Sequence, residues 1–190
     1  MGPSCMIALN PIHGGDGYQQ RKLIDWHLQW IVSQKNIRGI LGNANGGNSW
    51  RYCNQGGHTG YSNHLSAFGN VVCALQNPGI RYSYDFGEHF ALSASLVFDP
   101  SKICNDGSLF YVAGDGTGIY LSTDNGVTWG KVNDTRISNP QGIAANTREL
   151  FLTAPSGGVI RSSDKGRTWT PYDEGLPAGS IGSMDSRLYE

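Results

Sequence analysis

Charge is scarce in this chain: Asp, Glu, Lys and Arg together make up only 15 % of its 190 residues, well below the usual quarter. Lys plus Arg (14) nearly balances Asp plus Glu (15), so no basic excess recruits a polyphosphate backbone, and nucleic acid is excluded as a partner. Long apolar runs are absent too. The best of them, such as Leu109–Ala113, falls far short of a bilayer, so membrane insertion is not expected. Residues 1–20 show no charged stretch followed by an apolar one, so no signal peptide is read there. Cysteine is sparse: Cys5, Cys53, Cys73 and Cys104 form no CxxC pair. That excludes a disulfide-dense scaffold and a zinc ribbon, and leaves open a Cys53–Cys73 bridge or buried free thiols.

Glycine fills the gap. There are 27, with abundant Ser, Asn and Thr, and a chain so rich in turn formers and poor in Lys and Glu reads as short strands joined by tight turns. Self-comparison exposes the organising repeat. Gly118-Ile-Tyr-Leu-Ser122-Thr-Asp124-Asn-Gly126-Val-Thr128-Trp129 matches Gly158-Val-Ile-Arg-Ser162-Ser-Asp164-Lys-Gly166-Arg-Thr168-Trp169. Further copies precede them: Gly79-Ile-Arg-Tyr-Ser83-Tyr-Asp85-Phe-Gly87-Glu-His89-Phe90, and Gly39-Ile-Leu-Gly-Asn43-Ala-Asn45-Gly-Gly47-Asn-Ser49-Trp50. Glycines recur in phase at 39, 79, 118 and 158, and again at 47, 87, 126 and 166.

Each match reads as a hairpin turn between two strands. Glycine supplies a positive φ, a short Asp side chain accepts bonds from turn amides, Ser and Thr add local bonds, and the aromatic packs against the sheet interior. Asn45 accepts the same bonds as Asp, so the first copy keeps the turn. These residues resemble the Asp-box or BNR repeat, Ser-x-Asp-x-Gly-x-Thr-Trp, of sialidases, Vps10/sortilin propellers and xyloglucanase-type glycoside hydrolases. The resemblance covers the chain from about residue 20 onward. It implies an all-β fold, a β-propeller-type repeat of four-stranded antiparallel blades, with about four to five blades or a share of a larger propeller.

The β-rich runs fit that unit. Trp30–Ser33, Val71–Leu75, Leu109–Ala113 and Leu150–Ala154 precede the four turns, with Leu65–Phe68 and Gly142–Ala145 as earlier strands. In Arg21–Val32 the apolar residues Ile24, Trp26, Leu28, Trp30 and Val32 alternate, which predicts a strand. One repeat domain spans 1–190, with units near 18–58, 59–98, 99–137 and 138–177. Ser180–Ser183 and Arg187–Tyr189 read as the opening strands of a fifth unit, 178–190, for which residues 1–10 supply a closing partner through Cys5–Leu9. Self-association is the alternative if the ring is incomplete.

For the site, the resemblance implies that the turn residues are architecture: Asn45, Gly47, Trp50, Asp85, Gly87, Phe90, Ser122, Asp124, Gly126, Trp129, Ser162, Asp164, Gly166 and Trp169. Sialidase chemistry is not expected, because the nearest relic of the family's Arg-Ile-Pro segment, Arg136-Ile-Ser-Asn-Pro140, is late and incomplete. Xyloglucanase chemistry needs two carboxylates across a cleft, and Asn45 stands where one would be wanted. Asp16, Asp25 and Asp115 read as turn or surface residues. The loop carrying Cys53, His58 and His64 lacks a fourth metal partner, so neither metal nor cofactor is expected. Tyr52, His58, Tyr61 and His64 are instead candidates for stacking on and hydrogen-bonding a sugar. The resulting expectation is an extracellular, glycan-facing propeller module without evident catalytic residues. A protein-interaction scaffold of the sortilin or assembly-factor kind, or a fragment of a glycoside hydrolase, are the alternatives. Asn133-Asp-Thr135 is an N-glycosylation sequon, a triplet that also occurs often by chance.

Overall fold

The computed structural model describes residues 62–76 (side chains from 64), 79–94, 100–114, 118–132, 140, 142–153 and 158–175, and the strand backbones at 30–33, 40–43 and 51–52. Every regular element among the described residues is a strand. The first sheet has the order β1 (Trp30–Ser33), β2 (Ile40–Asn43), β3 (Arg51–Tyr52). Three four-stranded sheets follow. The second sheet comprises β4 (Ser62–Phe68), β5 (Val71–Gln76), β6 (Ile80–Ser83) and β7 (Ala91–Leu92). In the third are β8 (Pro100–Asn105), β9 (Phe110–Gly114), β10 (Gly118–Ser122) and β11 (Gly130–Lys131). The fourth holds β12 (Gly142–Ala145), β13 (Leu150–Thr153), β14 (Val159–Ser162) and β15 (Thr170–Pro171). Each is an antiparallel meander in chain order. Connections of two to seven residues within each sheet rule out parallel pairing, which would need crossovers of a dozen residues.

The chain forms two compact units, Met1–Leu92 and Ser93–Glu190. In the second unit, Cys104, Tyr111, Ala113 and Ile119 of the third sheet pack with Ile143, Ala145, Leu150, Leu152 and Trp169 of the fourth. Leu109, Leu121, Val132 and Ile160 close the edges of that cluster. The period of two explains the selection. Tyr111 and Ala113 lie on one face of β9, while Phe110 and Val112 are buried on the other. Burial on both faces is why these strands read as unbroken apolar runs, and each such side chain contributes about 1.5–3 kcal/mol. In the first unit, Leu65, Val72, Ala74 and Phe90 form a core with Ala67, and β5 is buried throughout. Cys73 and Cys104 are buried and stand in no disulfide, which removes the Cys53–Cys73 bridge from the two readings left open by the sequence.

Outer strands are different. Both residues of β7, of β11 and of β15 are exposed, so each sheet runs from buried inner strands to a short, wet rim. Of the stretch 21–32, Trp30–Val32 lie within β1. The rest of that stretch, Cys5–Leu9, Ser180–Ser183, Arg187–Tyr189 and the Asn133 sequon lie outside the described residues.

Candidate functional site

The three described copies of the turn share one hydrogen-bond design. Ser83, Ser122 and Ser162 close their strands with a buried hydroxyl. Each accepts from the amide of the glycine four residues on, at 2.9, 2.7 and 2.8 Å. Each donates to the following aspartate's Oδ1, at 2.7, 2.8 and 2.8 Å. That Oδ1 also accepts the amide of residue 89, 128 or 168, at 3.0, 2.9 and 2.8 Å. Oδ2 completes the turn by accepting from Thr128 Oγ1 at 2.5 Å and Thr168 Oγ1 at 2.6 Å. In the second sheet His89 replaces threonine, and its Nδ1 meets Asp85 Oδ2 at 2.6 Å. One donor has been exchanged for another with the geometry kept.

This bonding controls the carboxylates. Burial alone would raise Asp124, but the Thr128 hydroxyl and amide and the Ser122 hydroxyl outweigh it, and the carboxyl sits below its ordinary value. Asp85 is likewise lowered, burial being outweighed by the His89 amide, the Ser83 hydroxyl and the His89 ring. Asp164, bonded by the Thr168 hydroxyl and then its amide, is held at about 2. Such groups are committed anions, not proton shuttles near neutral pH.

Local conformation carries a surprise. The glycines Gly87, Gly126 and Gly166 have φ of 85, 91 and 85°, but the residue before each is also left-handed: Phe86 and Asn125 at 59° and Lys165 at 62°. Asparagine tolerates that region, whereas a bulky aromatic there is strained. Gly166 is further confined, since a Cβ would come within 3.4 Å of Trp169 Cζ2 and Val132 Cγ1.

A second repeated turn escaped the sequence reading. Asp106 Oδ1 accepts the amides of Ser108 and Leu109, both at 2.8 Å, and Oδ2 accepts the Tyr111 hydroxyl at 2.8 Å. Asn146 Oδ1 accepts the amides of Arg148 and Glu149, both at 2.8 Å. Burial raises Asp106, but the Leu109 amide, the Tyr111 hydroxyl and Ser108 prevail and lower it. Tyr111 is raised, by burial first and then by Asp106. The signal was an Asp or Asn placed four residues before each buried strand core, at 106 and 146. In the second sheet the corresponding turn holds Asn70, whose carbonyl accepts the Phe86 amide at 2.9 Å and whose Nδ2 donates to the Tyr84 carbonyl.

Aromatic closure varies between copies. Phe90 is buried with Leu65 and Val72, Trp169 is buried in the second unit's core, and Trp129 is only half-buried, its Nε1 reaching Ser93 Oγ at 3.4 Å. Asn45, Gly47, Trp50, His58 and Tyr61 lie outside the described residues. Tyr52 ends β3, and His64 is half-buried in β4 beside an irregularity in its pairing with β5.

Exposed apolar side chains are concentrated. Tyr84 (45 %), Phe86 (38 %) and Leu92 (54 %) all belong to the β6–β7 hairpin, and only Tyr172 (51 %) joins them elsewhere among the described residues. Tyr82 and Tyr84 pair at 5.3 Å between ring centroids. On the fourth sheet Arg161 lies 4.8 Å from the Tyr172 ring centroid and 3.2 Å from Glu149 Oε1. Among the described residues no group of three or more His, Cys, Asp or Glu is placed to hold a metal ion, and no helix is long and apolar enough to cross a membrane.

No protein-family model matches the chain, and no curated protein matches it. Solved structures do. One described as YCF48 bound to D1 peptide aligns with a TM-score of 0.63 and 14 % identity over 87 % of this chain and 57 % of that one. A GH74 enzyme of Niastella koreensis aligns at 0.58 and 18 % identity, over 75 % of this chain and 23 % of that one. An ancestral GH74 enzyme aligns at 0.60 and 16 % identity, over 86 % and 26 %. The chain therefore spans between about a quarter and somewhat over half the length of these structures.

Proposed function

The fold is an all-β meander of the β-propeller type shared with those structures, and we propose that the chain is a recognition module that binds a polypeptide partner rather than a hydrolase. The repeated turns are read as Asp boxes, whose carboxylates hold their own loops and are not free to act as acid or base. One observation carries the choice of partner: the exposed large apolar side chains of the β6–β7 hairpin are Tyr84, Phe86 and Leu92, with His89 exposed beside them and bonded to Asp85. Leucine offers no flat face to a sugar ring and phenylalanine no polar tip for its hydroxyls, whereas both suit the apolar side chains of a peptide. The structure described as YCF48 bound to D1 peptide lends this reading support by likeness of fold, which is a warrant of analogy.

Glycan binding is the second reading, favoured by the Tyr82–Tyr84 pair with Tyr84 open to solvent and by the GH74 likeness. Probing the purified chain on peptide and glycan arrays in parallel separates the two. Saturable peptide binding supports the first reading, and binding confined to glycans would replace it with the second. An extracellular location belongs to either reading; recovery of the native protein only in the cytosolic fraction would contradict it.

A further inference from the structure

The three four-stranded sheets have the same register at their outer edge, so their edge residues can be compared one by one. Leu92 lies opposite Arg81, Lys131 opposite Tyr120, and Pro171 opposite Ile160. Edge strands invite pairing with foreign chains, and lysine and proline at the edge are the usual means of preventing it. The third sheet has Lys131 there and the fourth has Pro171, while the second has Leu92, 54 % exposed. Of these three sheets only the second lacks the guard; the three-stranded first sheet carries Tyr52 at the equivalent position, opposite Leu41.

Backbone geometry agrees. Proline has no N–H, so the position opposite Ile160 needs no donor toward β14. Tyr172, the next residue, donates to the Val159 carbonyl at 2.7 Å. Antiparallel ladders alternate bonded and non-bonded pairs, so position 171 faces outward. By the shared register the N–H and C=O of Leu92 also face away from β6. Among the described residues β7 pairs with β6 alone.

We propose that β7 is a docking edge for an extended polypeptide, which adds as a further strand to the second sheet through the backbone of Leu92. The proposal rests on the polypeptide reading above and locates it. A strand added there places alternate side chains on the two sheet faces. One set meets Leu92. The other meets the face that carries Tyr82 and Tyr84, with Phe86 at the turn end. Arg81, opposite Leu92 on the same face, selects for an acidic residue in the first set. The partner is thus a segment alternating apolar and small polar residues, with an acidic residue on its Leu92 side. The left-handed φ of Phe86, 59°, is that of Asn125 and Lys165 in the sister turns; what differs is that this turn presents an exposed aromatic ring beside the edge.

The test uses the full chain and a fluorescein-labelled ten-residue peptide that alternates leucine and threonine, with one central aspartate in place of a leucine. Fluorescence polarisation should show saturable binding. Leu92→Pro, copying Pro171, should weaken it at least about tenfold while leaving the melting temperature in place, since the sister sheet folds with that residue, and Leu92→Glu, which sets a like charge against the peptide's aspartate, should weaken it likewise. If Leu92→Pro does not fold, Leu92→Glu carries the same test. Replacing the peptide's aspartate by lysine should also weaken binding. Hydrogen exchange should show new protection at residue 92, whose N–H faces the added strand, and not at 91, which bonds β6 already. Unsaturable binding, or equal binding by the variants, would overturn the proposal. So would a wild-type dimer that Leu92→Pro converts to monomer, because the edge would then serve a second copy. Peptide binding with protection elsewhere overturns the docking edge but leaves the polypeptide reading standing, which the arrays test separately.

Discussion

Trp169 Nε1 donates to the carbonyl of Gly166 at 2.9 Å, so the indole that fills the second unit's core also bonds the turn that positions it. The ring is 5 % exposed and packs with Leu150 and Leu152. Trp169→Ala should therefore cost about 3–5 kcal/mol. Trp129, half-buried and linked to Ser93 Oγ at 3.4 Å, should cost less on truncation, about 1–2 kcal/mol. Chemical denaturation of the two variants measures the difference, and equal losses would contradict the burial described.

The turn aspartates make stability depend on acid. Their folded values are lowered for Asp85, Asp106 and Asp124, and Asp164 is held at about 2, against about 3.9 unfolded. Groups lowered on folding stabilise above their unfolded value and lose that contribution as pH falls through the folded one. Melting temperature should thus be flat from neutral pH to about 5 and fall from about 4 toward 2. Asp124→Ala should lower stability at neutral pH by about 1–2 kcal/mol, and should lessen the acid dependence measured by thermal melts.

His89 does the work of threonine. Its Nδ1 takes the bond to Asp85 Oδ2 that Thr128 and Thr168 give their own aspartates. His89→Thr should consequently melt within about 0.5 kcal/mol of the parent. His89→Ala, which removes the donor from an exposed bond, should lose about 0.5–1 kcal/mol by urea titration.

Phe86 is a place where stability has room to rise. At φ of 59° a bulky residue costs about 1–2 kcal/mol, and asparagine pays less. Phe86→Asn, copying Asn125, should raise stability by about 0.5–1 kcal/mol. A drop in melting temperature would show that the ring packs more than its 38 % exposure implies.

Much of the fold was legible in the chain. The in-phase glycines, the Ser-x-Asp-x-Gly series and the runs around Val71–Leu75 and Leu150–Ala154 have a local physical cause, since a turn of fixed geometry needs particular residues at fixed offsets. That is enough to define the meander and its period. The tertiary structure decided the rest, because burial and edge position depend on neighbours distant in sequence. Trp129 and Trp169 occupy the same motif position and differ only in what surrounds them. Left-handed Phe86 looks like any aromatic until its backbone is seen. Leu92 reads as an ordinary strand residue, and only the register that aligns it with Lys131 and Pro171 shows an edge without its guard. Side-chain type fixes what a turn can form locally, while exposure and pairing belong to the assembled sheets.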